Sequence, residues 1–325
     1  MRPVIAATST HSTPDTRILG LRPPKPLVDA WKAHGALIEQ ERSPTGGVER
    51  AVTVFLAGAE CPFTCSFCDL WRYTLDGPTP AGALPIQLAR VLQEIEPPLP
   101  TRLKLYNASN FFDRRAVPQQ DVPRLAELAR PFAAITVESH ASTIGPMTLE
   151  FRALLSGRLE VAVGLETTHP IAIEHLNKRL ELSRFDQAAD FLARHQIDLR
   201  AFVLLGAPYV PAGEMVEWTT RAVEYAAARG ATRIAIIPVR GGNGELERLQ
   251  HLGAFVPPTL AQLEYALEQC RGIRSAVVTA DLWDIERLPG CESCRPQRVA
   301  RIQTMNLSAG PDAPPPPRIP CPACA

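Results

Sequence analysis

The chain has 325 residues, 46% of them hydrophobic, and its 34 basic residues balance its 34 acidic ones. This composition is typical of a globular protein with a large core, and zero net charge argues against a uniformly basic surface that coats nucleic acid. The amino terminus lacks the apolar stretch of a signal peptide, and no run approaches 18 apolar residues. We therefore expect a cytoplasmic protein without membrane contact, in which eight cysteines indicate metal or redox chemistry rather than disulfides.

The first 48 residues are interpreted as an N-terminal arm and helix. Residues 1 to about 25 are rich in Thr, Pro and Arg and have no periodicity, which predicts a loosely ordered arm. The stretch "PLVDAWKAHGALIEQER" (26–42) has apolar residues at helical spacing, and "SPTGGVE" then breaks the pattern. We therefore expect a helix over residues 26–42.

Residues 49–287 alternate short apolar runs with amphipathic stretches, which predicts roughly six βα units. Parallel strands joined by crossover helices close readily into a barrel, so we expect an α/β protein with a partial (β/α)6 TIM-like barrel. A doubly wound open sheet is the structural alternative. The predicted strands are "RAVTVFLAG" (50–58), "RLKLYNAS" (102–109), "AAITVES" (133–139), "LEVAVGLET" (159–167), "IDLRAFVLLGAP" (197–208), "ATRIAIIPV" (231–239) and, as an optional last strand, "SAVVTADLW" (275–283).

Residues 288–325 form a tail rich in Cys, Pro and Arg, with no run that resembles a core segment. Two C-x2-C pairs in this tail supply four thiolates, a set that binds a metal ion tetrahedrally. We expect a small metal-binding module that holds structural zinc or, as the alternative, an auxiliary iron–sulfur cluster. Its predicted ligands are Cys291, Cys294, Cys321 and Cys324.

A third group of cysteines follows the first predicted barrel strand. Cys61, Cys65 and Cys68 have the spacing C-x3-C-x2-C, and soft thiolate ligands suit iron–sulfur clusters. Three ligands on a four-iron cluster leave one iron open to bind a substrate or cofactor. The alternatives are a zinc knuckle that takes a distant fourth ligand, or buried thiols without a metal.

The cysteine spacing, with the aromatic Phe67 just before the third cysteine, resembles the radical S-adenosylmethionine (radical SAM) superfamily. The resemblance implies a [4Fe–4S] cluster whose open iron is chelated by SAM. One-electron reduction then cleaves SAM to a 5′-deoxyadenosyl radical that abstracts hydrogen from a substrate. It also implies a reductant protein of the flavodoxin or ferredoxin type, and a place for Phe67 beside the cluster and adenine.

Ligands of a parallel barrel bind at the carboxyl ends of its strands, so the polar residues there are candidates for binding SAM. The second predicted strand ends in Asn107 and Ser109, the third in Glu138 and the fourth in Glu166. Arg200, near the start of the fifth strand, completes this predicted set. A charged pair between one of the two glutamates and Arg200 is the structural alternative.

Three phrases resemble the radical SAM half of the Elongator catalytic subunit and the archaeosine synthase radical SAM subunit. They are "LKLYNASNFFD", "VGLETTHPIAIEHLNKRL" and "LRAFVLLGAPYVP". "CESCRPQR" is similar to the stretch that closes the Elongator domain, where the metal is zinc. The resemblance implies a tRNA base as substrate. A small metabolite is one alternative, and a non-enzymatic iron–sulfur or zinc RNA-binding adaptor is another. The one local concentration of basic charge is at Arg295, Arg298 and Arg301.

Overall fold

The computed structural model describes residues 13–97, 100–308 and 314–321, and it contains one eight-stranded sheet. The sheet order follows the chain from the first strand to the last. The first two strands pair antiparallel, and every later neighbouring pair is parallel. The strands are β1 (Gly35–Arg42), β2 (Val48–Phe55), β3 (Arg102–Tyr106), β4 (Ala134–Ser139), β5 (Arg158–Glu166), β6 (Asp198–Leu205), β7 (Ala231–Pro238) and β8 (Val277–Ala280).

Helices fill the connections between the parallel strands and cover the outer face of the sheet. The core lies between the two layers, where Phe132, Phe151 and Phe185 are among the largest fully buried side chains. The helices are α1 (Pro14–Leu21), α2 (Ala83–Gln93), α3 (Val122–Leu128), α4 (Pro146–Leu154), α5 (Pro170–His175), α6 (Leu182–Arg194), α7 (Met215–Ala228), α8 (Glu245–His251), α9 (Leu260–Gln269) and α10 (Arg295–Leu307).

The sheet curls into a nearly closed barrel. Arg233 on β7 donates to Glu49 on β2, although four strands separate these two in the sheet. The ring of Phe55, at the end of β2, lies 5.2 Å from that of Trp283, which follows β8. Helix α10 packs against both edge strands, β1 and β8. The predicted partial barrel is therefore confirmed, including its optional last strand, and the open-sheet alternative is wrong.

The helix predicted over residues 26–42 is wrong, because residues 35–42 form strand β1. Glu39 and Glu41 point into the barrel, where both bind Lys104, while Leu37 and Ile38 are 41% and 45% exposed. The side chains of this strand that face the barrel interior are thus carboxylates. The large apolar residues of the strand are instead exposed, so their spacing gave a false helical pattern. Pairing with β2 and the ion pairs of both glutamates with Lys104 override the local helical propensity.

The amino-terminal half of the barrel interior is filled by a charged network, here called the ionic floor. At its centre Glu160 accepts from Arg200 Nε and Arg233 Nη1, both at 2.7 Å. Burial opposes ionisation, but the surrounding guanidinium groups hold the pKa of Glu160 at about 2. Opposite charges thus satisfy each other where water is excluded. The ionic floor consists of Glu39, Glu41, Glu49, Arg102, Lys104, Glu160, Arg200 and Arg233.

Candidate functional site

The three clustered cysteines lie on the loop that follows β2, at the carboxyl ends of the strands. Two asparagines hold the backbone of this loop from opposite sides. Asn177, after α5, donates to the carbonyl of Thr64 at 2.8 Å, and Asn243, after β7, donates to that of Ser66 at 2.9 Å. The loop conformation is therefore set by side chains from two other strand connections.

Helix α1 also anchors the cysteine loop, which corrects the expectation of a loosely ordered arm for the described part of that arm. Asp15 accepts hydrogen bonds from Thr64, Arg179 and, at 2.8 Å, Asn177. These contacts lower the pKa of Asp15, the hydrogen bond from Thr64 first among them. Polar contacts rather than a continuous apolar face hold α1, so hydrophobic periodicity had little to detect.

Burial raises the pKa of all three thiols in the loop, and that of Cys65 to about 12. Thiols in such surroundings ionise when a bound metal supplies compensating positive charge. None of the described cysteines forms a disulfide. The thiols of Cys61, Cys65 and Cys68 are therefore available as metal ligands. Cys270 lies apart from the loop, with its sulfur 4.0 Å from Thr220 Oγ1.

The end of β3, where Asn107 and Ser109 were predicted to bind a cofactor, carries unsatisfied polar atoms. The amide nitrogen and oxygen of Asn107 and the hydroxyl of Ser109 are buried and have no hydrogen-bond partner among the described residues. Ser66 Oγ, in the cysteine loop, is in the same state. Buried polar groups are nearly always paired, so this set of orphaned atoms is what a site for a polar cofactor requires.

Glu138 organises the turn at the end of β3 instead of extending freely into the site. Its carboxylate accepts from the backbone N–H of Asn107 at 2.7 Å, and Ala108 within the turn has a φ of +53°. Burial raises the pKa of Glu138 to about 7, although the backbone N–H groups of residues 107–109 oppose the shift. Glu138 therefore lies beside the predicted cofactor segment and supports it.

Glu166 ends β5 with a φ of +68° and forms an ion pair with Lys178, a residue that the sequence did not single out. Both are buried, at 6% and 9% exposure. A Cβ at Gly164 would overlap both charged groups, so the pair depends on glycine at that position. The "N-K" of "HLNKRL" thus has a structural meaning, since Asn177 holds the cysteine loop and Lys178 neutralises Glu166.

Two other predicted cofactor residues have different positions. Phe67 is half-buried and packs against the core from within the cysteine loop, so its place beside adenine remains a prediction. Arg200 belongs to the ionic floor, where it binds Glu160 and Glu41. That network lies at the amino ends of the strands, opposite the cysteine loop. Arg200 is therefore not part of the candidate site. Its charge neutralises the buried carboxylates of Glu160 and Glu41.

The second predicted metal site is brought together as far as the structure describes it. The sulfurs of Cys291, Cys294 and Cys321 lie within 4.8 Å of one another, and those of Cys291 and Cys321 are 3.8 Å apart. Cys324 lies outside the described residues. The tail folds back because Arg301 donates to the carbonyls of Pro316 and Pro317. These three thiols can bind a metal.

The arginines in the basic stretch of the tail are paired with carboxylates of the protein itself. Arg298 and Arg301 both bind Glu264, and Arg301 also binds Glu268. Arg295 pairs with Glu292 and donates to the carbonyl of Leu288. Arg298 and Arg301 therefore hold the tail on α9, and Arg295 is paired within its own segment, so the three do not form an open basic patch.

Among the described residues, no helix has the length and apolarity needed to cross a membrane. A cavity of about 140 Å³ lies on the outside of the barrel between α3 and α4, and its lining includes Phe111, Met147 and Phe151. It is separate from the cysteine loop and carries no cluster of chemical groups.

The barrel and its cysteine loop define a class of mostly parallel α/β barrels that bind ligands at their carboxyl end. No protein-family model matches the sequence, and no curated protein matches it. Solved structures, however, do share the fold. A radical SAM methyltransferase from Sphaerobacter thermophilus aligns at 16% identity over 76% of this chain and 73% of that one, with a TM-score of 0.50.

SuiB from Streptococcus suis, solved with bound S-adenosylmethionine, aligns at 13% identity over 73% of this chain and 50% of that chain, with a TM-score of 0.50. Elp3 from the archaeon Methanocaldococcus infernus aligns at 14% identity over 68% of this chain and 59% of that chain, with a TM-score of 0.49. The chain thus spans only half to three fifths of these two proteins. It has the fold of radical SAM enzymes, and the predicted resemblance is confirmed at that level.

Proposed function

We propose that the protein is a radical SAM enzyme in which Cys61, Cys65 and Cys68 hold a [4Fe–4S] cluster. The observation that carries the proposal is the pairing of three thiols on one loop with the orphaned polar atoms of Asn107 and Ser109. A three-thiolate cluster leaves one iron for a cofactor, and the orphaned atoms supply hydrogen bonds to the polar groups of SAM. The residues present therefore fit both groups.

The cluster with bound SAM supplies reductive cleavage of SAM to a 5′-deoxyadenosyl radical, which takes a hydrogen atom from the substrate. The protein's residues provide position and protection. Asn177 and Asn243 hold the loop that carries the thiols. Glu138 holds the turn that aims Asn107 and Ser109, and the buried Glu166–Lys178 pair adds no net charge at the end of β5.

The central test is cleavage of SAM by the anaerobically reconstituted full-length protein with dithionite. We expect 5′-deoxyadenosine from the wild type and none from Cys65→Ala. Cys270→Ala is the matched control, because Cys270 is buried beside Thr220, and it should retain cleavage. A fully loaded cluster that cleaves no SAM would contradict the enzyme proposal and favour the non-enzymatic adaptor.

Cleavage consumes one electron from outside the protein, which supports a reductant partner of the flavodoxin or ferredoxin type. Such partners and a reducing environment for the thiols are consistent with a cytoplasmic location. Replacement of dithionite by reduced flavodoxin should sustain 5′-deoxyadenosine formation. Failure with both flavodoxin and ferredoxin would contradict this choice of partner.

We further propose that the substrate carries a planar heteroaromatic ring, with a tRNA base as the first candidate. Aromatic side chains in the carboxyl-terminal half of the barrel interior support this. Tyr106 and Phe202 are half-buried, and their rings meet edge to face with centroids 6.2 Å apart. Aromatic side chains such as these can pack against a planar ring.

A small metabolite is the second candidate, and it is favoured by the internal pairing of Arg298 and Arg301. Binding of tRNA normally needs unpaired basic side chains. Comparison of modified nucleosides in tRNA from wild-type and deletion strains separates the two substrates. A missing nucleoside in the deletion strain supports tRNA, whereas an unchanged profile rules it out.

For the tail we propose structural zinc. Zinc–thiolate bonds of ~2.3 Å at tetrahedral angles place sulfurs ~3.8 Å apart, in agreement with the 3.8 Å between Cys291 and Cys321. An iron–sulfur cluster would separate its ligands further, since each binds a different iron. Elemental analysis of anaerobically purified protein should give about one zinc and about four irons per chain. Iron well above that level without zinc would favour an auxiliary cluster.

A further inference from the structure

Asn110 lies just after β3, between the cysteine loop and the end of β4. Both the oxygen and the nitrogen of its side-chain amide form hydrogen bonds. Its Oδ1 accepts from the backbone N–H of His140 at 2.7 Å, and its Nδ2 lies 3.4 Å from Cys61 Sγ as a donor. The residue is only 2% exposed. Because a backbone N–H can only donate, the amide orientation is determined, and the NH₂ group must face the sulfur.

The backbone that orients Asn110 is itself held from several sides. The imidazole of His140 contacts the carbonyl of Lys178 through Nε2 at 3.2 Å and Ser142 Oγ through Nδ1 at 2.7 Å. Its ring stacks on that of Phe63, in the cysteine loop, with centroids 4.1 Å apart. Rotation of the Asn110 amide away from the sulfur would leave a buried N–H unpaired, so the contact is built into the site.

We propose that Asn110 is a positioning residue that raises the reduction potential of the cluster held by Cys61. The inference rests on the proposed [4Fe–4S] site and deepens it. Reduction adds negative charge that spreads onto the ligand sulfurs, and an N–H donor stabilises that charge. Hydrogen bonds to cluster sulfurs are one of the means by which proteins set cluster potentials. Asn110 thus eases the one-electron reduction on which SAM cleavage depends.

The test is an EPR-monitored redox titration of the reconstituted full-length protein. Asn110→Asp keeps an acceptor for the His140 N–H but removes the donor, and Asn110→Leu removes the donor without adding charge. We expect both to reduce the ratio of reduced to oxidised cluster at least tenfold at a given potential, a shift of ~59 mV to more negative values for one electron. Asn110→Asp should shift further, because its carboxylate faces the sulfur.

Asn306→Asp is the matched control, because Asn306 also uses both ends of its amide, but on the backbone of Ala280 at 2.8 and 2.9 Å. Its potential should equal that of the wild type. Loaded Asn110 variants with an unchanged potential would overturn the inference and leave the proposed function intact. A wild-type protein that binds no iron–sulfur cluster would overturn the proposed function itself.

A measurement on the wild type covers the case in which neither Asn110 variant retains iron. Protein labelled with ¹⁵N only in the asparagine side chains should show a coupling between the reduced cluster and an amide nitrogen by pulsed EPR. The coupling should persist in Asn107→Ala, a variant that removes an amide that also lies at the site. It would then support the N–H···S contact, since Asn177 and Asn243 donate to carbonyl oxygens. Its absence would overturn the inference.

Discussion

The two ends of the barrel interior treat polar groups in opposite ways. In the ionic floor, Glu160 is 1% exposed and lies within 3.5 Å of three arginines, and Thr136 donates to it as well. At the cysteine end, the amide of Asn107 is fully buried and has no partner among the described residues. Among the described residues, one buried side-chain atom of the ionic floor, Arg233 Nε, lacks a hydrogen-bond partner. At the cysteine end four such atoms lack one: both amide atoms of Asn107 and the hydroxyls of Ser66 and Ser109.

This difference separates stability from function within one fold. A nearly saturated buried network stabilises the barrel and has little hydrogen-bonding capacity left for a ligand. Orphaned donors and acceptors destabilise the unliganded protein, and hydrogen bonds to a polar cofactor remove this energetic cost when it binds. The amino end of an α/β barrel is expected to serve stability and the carboxyl end chemistry, and the distribution of satisfied polar atoms in this chain follows that division.

The largest expected effect is on the ionic floor. Glu160→Gln removes the one carboxylate shared by Arg102, Arg200 and Arg233 and presents an NH₂ group to them. Breaking such a buried network leaves charges uncompensated and should lower the free energy of unfolding by about 3–5 kcal/mol. Urea unfolding of the iron-free protein measures the loss.

Glu127→Gln is the control for that experiment, because its pair with Arg124 is exposed on both sides. Surface pairs contribute little, so this variant should unfold at the wild-type urea concentration. Equal midpoints for the two variants would refute the stabilising role of the ionic floor. Iron bound per folded chain should be the same in both, since neither residue approaches the cysteine loop.

The sequence was informative where one local pattern is enough. The seven parallel strands contain short, mostly apolar runs between helices, and the cysteine spacing marks its own loop. Asn107 and Ser109 were chosen as candidates because the carboxyl end of a parallel barrel is the end that binds ligands. Such features depend on the period of a segment or on its place after a strand, and both can be read without tertiary contacts.

Features that depend on distant partners were missed. Strand β1 faces the interior with Glu39 and Glu41, which both pair with Lys104, more than 60 residues away. Arg200 was assigned to the cofactor because its partner Glu160 is 40 residues distant. Asn110 is distinguished by its contacts with Cys61 and with the backbone of His140, 49 and 30 residues away. No spacing rule reports these pairings.

A second, smaller effect concerns pH at the cysteine end. The raised pKa of Glu138, about 7 against 4.5, makes the protein less stable as pH rises between those values, by up to about 3 kcal/mol at ~1.4 kcal/mol per pH unit. Burial and, secondly, Lys178 lower the pKa of His140 from 6.5 to about 4, which makes the protein more stable as pH rises over that range. The two contributions largely cancel in the wild type.

Glu138→Gln should expose the contribution of His140 alone. The Gln carbonyl still accepts from the backbone N–H of Asn107, so the turn is preserved while the titration is lost. We expect the unfolding free energy of the variant to rise from pH 4 to pH 6.5, against a flatter wild-type profile. Urea unfolding of the iron-free protein at a series of pH values tests this, and parallel profiles would refute the assignment.

The smallest effect on stability is expected from the orphaned amide itself. Asn107→Ala removes buried polar atoms that have no partner among the described residues, so relief of unpaired groups offsets lost packing and stability should change by less than ~1 kcal/mol. Gln87→Ala is its counterpart near the end of β2. That amide binds the N–H and carbonyl of Ala57 at 2.8 and 3.0 Å, so truncation should lower the free energy of unfolding by about 1–3 kcal/mol.

The affinity for SAM should show the opposite order of effects. Calorimetry on the reconstituted protein should give at least a tenfold weaker affinity for Asn107→Ala and little change for Gln87→Ala. A large loss of stability with unchanged affinity in Asn107→Ala would mean that the orphaned atoms serve the fold, and the contrast between the two ends of the barrel would then fail.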